Sequence, residues 1–274
     1  MTAILKDDTF KNMRDFIYEK SGIFIPDNKK YFIENRLGKR VEEKKLGSFD
    51  DYFYMLKYNT DPAELGVLFE KITTNETFFF REVNQLEVFV GNIVPAIARL
   101  KKKPVLRFWS SASSTGEEPY TLAMMLMENP KTSALKFEIF ASDISDAVLV
   151  KANAARYGQY SIRNVPPNYL KKYFVQAANG DYALAASVKS KVKFMQINLL
   201  DDKKMRGIRE VDAIFCRNVL IYFDKNAKMK VVSNLYESLV PGGYLIIGMA
   251  ESLHDVTKAL RPNVIEKTVI YQKV

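Results

Sequence analysis

Thiol and imidazole chemistry are almost unrepresented in this chain, which has one cysteine and one histidine among 274 residues. A lone Cys216 excludes an internal disulfide and fits a reducing cytoplasm. At the end of the apolar run "VDAIFC" it reads as a small buried residue, not as a nucleophile. With His254 alone, histidine acid–base catalysis and multi-histidine metal sites have almost nothing to work with, and no metal is expected. His254 itself reads as a surface residue near a loop. No apolar run approaches the roughly 20 residues a membrane-crossing helix needs. The opening "MTAILKDDTF" has no basic leader followed by an apolar segment, so a secretory signal is not expected. Also missing is the glycine fingerprint of a dinucleotide site. In "RFWSSASSTGEEPYTLAMML" no glycine falls between Arg107 and Thr115.

What is present supports a packed protein. Hydrophobic residues make up 47% and charged residues 27%, enough for a core and too apolar for wholesale disorder. The length allows one large domain or two of about 100–200 residues each. A formal charge of +9 favours an acidic partner. Composition leaves three readings open: nucleic acid, an acidic protein surface, or a merely soluble basic protein.

Residues 1–88 read as a helical N-terminal domain. "DDTFKNMRDFIYEKSGI" sets Phe10, Met13, Phe16 and Ile17 at helical spacing, and "SFDDYFYML" and "DPAELGVLFEKI" behave alike, with Ser48 and Asp61 as N-caps. Residues 89–103 read as a linker. From residue 104 to 274 strands alternate with helices: "VLRFW", "FEIFASD", "KFMQINLL", "VDAIFCRN", "GYLIIGMA" and "VIEKTVIYQKV" as strands, with helices at Glu117–Glu128, Asp146–Ala155 and Asn226–Leu239 between most of them. That alternation predicts an α/β fold, a mostly parallel sheet covered on both faces, with the last strand antiparallel. Residues 157–190 interrupt it, and Asn179-Gly180 signals a hairpin there, so a small β-rich insertion is expected.

In an open parallel sheet, ligands sit beyond the carboxyl ends of the strands. Four stretches should end there: the loop before Glu117 and Glu118, "ASD" ending in Asp143, "NLL" from Asn198, and "CRNVLIYF" from Cys216. An acid at the Asp143 position commonly accepts from ribose hydroxyls, although it could also cap the helix near Ser145. Two acids beside a glycine-poor loop would repel phosphate. A ribose-and-adenine ligand without phosphates, such as S-adenosylmethionine, suits the set.

"ITTNETFFFRE", "WSSASSTGEEPY", "ASDI", "NLL" and "VDAIFCRNVLIYFDK", in this order, resemble the signature blocks of the CheR family, the bacterial chemotaxis-receptor glutamate O-methyltransferases. The resemblance covers nearly the whole chain, with "MAES" at Met249–Ser252 as one departure. It implies an all-α N-terminal domain before a Rossmann-like S-adenosylmethionine-dependent methyltransferase sheet. It also implies S-adenosylmethionine as cofactor, S-adenosylhomocysteine as product and a cytoplasmic enzyme of sensory adaptation. By resemblance, Asn75, Thr77 and Arg81 contact the cofactor, and Arg81 also acts on the substrate. Glu117 or Glu118, with Glu117 preferred, supplies the acidic contact. Asp143, Asn198, Leu199, Arg217 and Asn218 complete the pocket, and Tyr222 lies near the transferred methyl. Read without the resemblance, Thr73 and Glu76 fit a capping box, Phe78–Phe80 fit interdomain packing, and Glu117 and Glu118 simply favour a helix N-terminus.

The chemistry is coherent without a base. A glutamate side chain, with an unperturbed pKa of about 4.3, is already ionised at neutral pH, so transfer needs alignment more than proton removal. A nucleic-acid methyltransferase is the main alternative. Its "NPPY"-like run is expected after "VDAIFC", whereas "VPPNY" at Val165–Tyr169 lies in the insertion and reads as a turn into a helix. A binding module that has lost catalysis is the other. In the family, a positive N-terminal surface faces the acidic, helical methylation region of the receptor cytoplasmic domain, which gives the cations of residues 29–45 a partner. Some members bind a receptor C-terminal peptide by adding a strand to the insertion. The tip "QAANGDYALA" is short, which speaks against such tethering here.

Overall fold

The computed structural model describes residues 4–58, 61–100 and 105–274. The first helices are α1 (Asp7–Ser21), α2 (Lys30–Glu43), α3 (Phe49–Tyr58) and α4 (Pro62–Ile72). Phe10, Met13 and Ile17 of α1 meet Ile33, Leu37 and Val41 of α2, Phe49 and Tyr52 of α3, and Leu68 and Phe69 of α4 in one core. Each such burial is worth about 1.5–3 kcal/mol, which outweighs the weak helix preference of the aromatic and β-branched members. Asp61 accepts from the Ala63 N–H, and the Ser48 hydroxyl accepts from the Asp51 N–H, so both caps form as expected. Thr73 does not begin a helix. It ends α4, its hydroxyl donating to the Phe69 carbonyl at 2.7 Å and its own backbone extended, and no regular element follows until α5.

The expected linker 89–103 is helical as far as Leu100, and residues 101–104 lie outside the described residues. The helix α5 (Val83–Val88) continues through a π-turn at Phe89–Ile93 into α6 (Val94–Leu100). Pro95 has no N–H for the Gly91 carbonyl and its ring would crowd that oxygen, and the widened turn relieves both problems. The freed Gly91 carbonyl accepts from Lys131 Nζ at 3.1 Å. Phe89 packs edge-on against Phe108 and Phe215, so this helix belongs to the core of the sheet and not to the N-terminal helices.

The remaining elements follow in order. They are β1 (Val105–Ser111), α7 (Glu117–Glu128), β2 (Lys136–Asp143), α8 (Asp146–Ala154), β3 (Arg156–Tyr157), α9 (Gln159–Ile162), α10 (Pro167–Tyr173), β4 (Phe174–Gln176), β5 (Tyr182–Leu184) and α11 (Ala186–Lys189). Then come β6 (Val192–Gln196), α12 (Asp202–Arg206), β7 (Val211–Cys216), α13 (Lys225–Ser238), β8 (Leu239–Ile247), β9 (Leu260–Ile265) and β10 (Thr268–Lys273). The large sheet has the order β6-β2-β1-β7-β8-β10-β9, parallel from β6 to β8. Phe108, Phe215 and Ile246 face one helical layer while Trp109, Ile214 and Leu245 face the other, the alternation a doubly covered sheet requires. The terminal run expected as one strand is a hairpin. It turns at Glu266 and Lys267, both with positive φ, and β10 pairs antiparallel with β8.

The insertion holds the small sheet β3-β5-β4, and "VPPNY" leads into α10 as expected. Gly22 ends α1 in the left-handed conformation, and a Cβ there would lie 2.6 Å from Leu200 Cδ1. The Leu200 methyl could turn aside, so it is the positive φ of 74° that favours glycine at this seam. Lys20 O accepts from Asn198 Nδ2 at 2.6 Å and Tyr18 donates to Asp224 at 3.0 Å across the same seam.

Candidate active site

Strand order reverses between β1 and β7, and a cleft with a cavity volume of about 110 Å³ opens beyond their carboxyl ends. Its floor comes from Ala112–Ser114 after β1, Asp143 at the end of β2, Ile197–Leu199 after β6 and Arg217–Val219 after β7. The segment Thr73–Phe78, with Arg81, crosses above them, and Ser21 and Ile23 close the far side.

The glycine-poor loop reaches its shape with small residues that have side chains. Ala112 and Ser114 hold φ near 61° and 50°, a left-handed conformation that bulky residues resist. Asp143 locks the loop. One carboxylate oxygen accepts from the Ser114 N–H at 2.9 Å, and the other accepts from the Ser145 N–H at 3.0 Å. Asp143 thus fastens the turn that leads into α8, without bonding an N–H of the helix itself, and it also lines the cleft. Burial pushes its pKa above the ordinary carboxylate value, opposed by these amide bonds. Ser113 Oγ is buried at the cleft wall with no hydrogen-bond partner among the described residues.

The two adjacent acids part company. Glu118 lines the cleft, accepting from Ser110 Oγ at 2.7 Å and Arg217 at 2.9 Å. Glu117, preferred from sequence, turns inward. It is 1% exposed, accepts from the Thr115 and Ser161 hydroxyls and does not line the cleft. Successive helical residues point about 100° apart, so one acid faces the ligand side and the other the insertion.

Arg217 uses four of its five N–H donors. It donates to Gln85 Oε1 at 2.8 Å, Glu118 and Glu82 at 2.9 Å, and the Arg81 carbonyl at 2.8 Å. Burial would raise the Glu82 pKa, but the Arg217 charge and bonds from Asn218 and the Met249 N–H hold it below the ordinary value. Asn218, at φ 57°, donates through its backbone to Glu251 and through its amide to Glu82. Glu251, in the departing "MAES" stretch, also accepts from the Gly248 and Ile221 N–H groups. Glu82, Gln85 and Glu251 were not anticipated. Glu82 was signalled only by its place beside Arg81, and Gln85 by nothing.

Arg81 and Tyr222 differ from these. Arg81 donates to the Glu76 carbonyl at 2.7 Å and makes no ion pair among the described residues. The Tyr222 hydroxyl has no hydrogen-bond partner among them either, and both side chains line the cleft. Phe79 and Phe80 pack not between the helical part and the sheet, as interdomain packing would require, but in the core of the sheet, Phe79 edge-on to Tyr157 and Phe174 of the insertion. Phe78 instead lines the cleft. Asn75, Thr77, Asn198 and Leu199 line it as well, although the Asn198 amide is tied to Lys20 O.

A switch-point cleft with no phosphate-binding glycine loop and with acids on its wall is the form of a nucleoside-cofactor methyltransferase domain. Residues 75–269 match the family described as CheR methyltransferase, SAM binding domain, and residues 8–73 match CheR methyltransferase, all-alpha domain. The chain belongs to the CheR methyltransferase family. It is 37% identical over 271 residues to Chemotaxis protein methyltransferase 2 of Vibrio cholerae, covering 98% of this chain and 94% of that one. It is 34% identical over 251 residues to the Chemotaxis protein methyltransferase of Escherichia coli, covering 90% and 85%. The two family matches meet at residues 73 and 75, where α4 ends, earlier than the boundary expected at 88.

Proposed function

We propose that this protein transfers the methyl group of S-adenosylmethionine to glutamate γ-carboxylates on cytoplasmic helices of chemoreceptors, forming methyl esters. The observation that carries this reading is the Arg81 guanidinium, which makes no ion pair among the described residues, beside the Tyr222 hydroxyl, which has no hydrogen-bond partner among them, in a cleft whose other cation, Arg217, is paired with Glu82 and Glu118. The cofactor, when bound, supplies an electrophilic methyl on a sulfonium. Its fit rests on the αL Ala112–Ser114 loop, the unpartnered Ser113 hydroxyl and the acids that disfavour phosphate. Asp143 retains acceptor capacity for ribose hydroxyls, since a carboxylate offers about four lone-pair sites. Asn75, Thr77, Glu118, Asn198, Leu199, Arg217 and Asn218 would surround the rest.

Arg81 is the group available to orient an incoming carboxylate, with Tyr222 as a second donor. Because the nucleophile is ionised at neutral pH, positioning and exclusion of water are the required contributions, and no side chain must take a proton. Too tight an ion pair would lower nucleophilicity, which fits a guanidinium also tethered to a main-chain carbonyl.

The acidic helical partner would meet the face bearing α2. Several of the cations there are already engaged: Arg40 and Lys44 bind the buried Glu64 at 2.6 and 2.8 Å, Lys30 pairs with Asp7, and Arg36 donates to the Lys71 and Thr73 carbonyls. Burial would raise the Glu64 pKa, yet Arg40, Lys44 and Tyr52 hold it down at about 2. The outward cations are Lys29, Lys39 and Lys45. A cytoplasmic location fits this partner, and no helix among the described residues is long and apolar enough to cross a membrane. Tethering of a receptor tail by the insertion is not part of the proposal, and calorimetry showing micromolar binding of receptor C-terminal peptides would change that.

The test is incubation with methyl-labelled S-adenosylmethionine and a purified receptor cytoplasmic fragment. Label released by mild alkali as methanol is expected. Alkali-stable label, or label in added nucleic acid, would overturn the proposal.

A further inference from the structure

Arg163 is an exposed arginine of the insertion, just after α9, held in an unusual way. Its guanidinium carbon lies 3.6 Å from the ring centroid of Phe78 and 3.7 Å from that of Tyr160. The two rings stand nearly perpendicular, 6.5 Å apart, so the guanidinium is wedged between them. One of its N–H groups donates to the Tyr160 carbonyl. The Tyr160 hydroxyl is fixed in turn by the Glu76 carboxylate at 2.8 Å. Like Arg81, Arg163 makes no ion pair among the described residues.

Phe78 connects this arginine to the cleft. The ring lines the cleft, and the Arg81 guanidinium carbon lies 5.8 Å from its centroid. The two guanidinium carbons are therefore no further apart than about 9.4 Å, the sum of their distances to that centroid. Acids on one face of a helix recur at one turn, about 5–6 Å between side-chain bases, or at two turns, about 11 Å along the axis. A separation within that bound leaves both guanidinium groups within reach of two acids on one helix face.

We infer that Arg163 is a substrate-positioning residue that receives a second carboxylate of the acceptor helix, one or two turns from the glutamate held by Arg81. This rests on the methyl-transfer reading above. A mobile surface arginine gains little from an exposed ion pair, largely because ordering two long side chains is costly. Stacking between two rings fixes the guanidinium before the substrate arrives and leaves its other N–H donors for a carboxylate. The second contact sets the register of the acceptor helix, and with it which glutamate reaches the cleft.

The experiment is steady-state methylation of a purified receptor cytoplasmic fragment by wild type, Arg163→Ala and Arg163→Lys, with S-adenosylhomocysteine titrations alongside. Arg163→Ala should raise the KM for the fragment about tenfold, leaving kcat and S-adenosylhomocysteine affinity within twofold of wild type. Arg163→Lys, which keeps the charge and loses the planar stack, should fall between. Fragments with one neighbouring acid changed to glutamine, at three, four or seven positions from the methylated glutamate, complete the cycle. One of them should show the same KM with wild type and Arg163→Ala. An unchanged KM, a joint loss of kcat and cofactor affinity, or a penalty persisting with every fragment would overturn the inference while wild type still methylates. No methylation of the fragment by wild type would overturn the methyl-transfer reading itself, and this inference with it.

Discussion

Arg81 and Arg217 touch, the Arg217 guanidinium donating to the Arg81 carbonyl at 2.8 Å, and their surroundings treat them in opposite ways. Arg217 is 7% exposed and faces Glu82, Glu118 and Gln85. Arg81 is half-buried, and its guanidinium has one carbonyl as its hydrogen-bond partner among the described residues. A charged residue in a motif therefore says little about its chemistry until its partners are known. Arg217 builds the wall that positions Glu118 and the loop after β7, and in the proposed function Arg81 is the cation that meets what enters. The sharpest way to break this distinction is Arg217→Ala. It would leave two partly buried carboxylates without their cation, a change that costs about 3–5 kcal/mol. Urea denaturation should show that loss, and a loss below about 1 kcal/mol, as for an ordinary surface pair, would mean that Arg217 is not structural. Arg81→Ala should do the reverse. Turnover of receptor fragment should fall about 100-fold through misplacement of the carboxylate, with the unfolding midpoint nearly unchanged. A comparable drop in stability would place both arginines in the same wall.

Asp143 stands between these cases, because it serves the fold and faces the cleft together. Asp143→Ala would leave the Ser114 and Ser145 amides without their acceptor, at about 1–3 kcal/mol for buried donors. Since the Ser114 amide belongs to the loop that borders the ligand, S-adenosylhomocysteine affinity should fall about tenfold or more by calorimetry. Binding like wild type would remove Asp143 from the ligand's surroundings.

How far such a site could be read in advance follows from the range of the interactions that make it. The strand ends carrying Asp143, Asn198 and Arg217 were legible, because alternation of strands and helices fixes which ends share an edge of the sheet. The helix through Phe89 and Leu100 was not, because Gly91 and Pro95 both signal a break and a π-turn absorbs them. Gln85 reaches Arg217 across 132 positions and Glu251 reaches Asn218 across 33, contacts that no local pattern announces. Thr73 and Glu76 fit a helix start by spacing, whereas Thr73 ends the preceding helix.

The choice between Glu117 and Glu118 gives the smallest expected effect. Burial raises the Glu117 pKa above its usual 4.5, against the bonds from Thr115, its own backbone N–H and Ser161. A carboxyl whose pKa is raised by folding binds its proton more tightly in the folded state. Its contribution to stability is whole below about pH 4.5 and is lost as pH rises through the folded value. Ionised Glu117 is thus a net cost at neutral pH, and Glu117→Gln removes it while keeping an acceptor for one hydroxyl. The variant should match wild type near pH 4 and unfold about 2 °C higher, or less, near pH 7.5. Its S-adenosylhomocysteine affinity should stay within twofold of wild type, because the side chain faces the insertion. Glu118→Gln, at the cleft wall and on Arg217, should weaken that affinity several-fold. Equal losses from the two substitutions would show that Glu117 reaches the ligand after all, and that the inward turn of its side chain is not the bound arrangement.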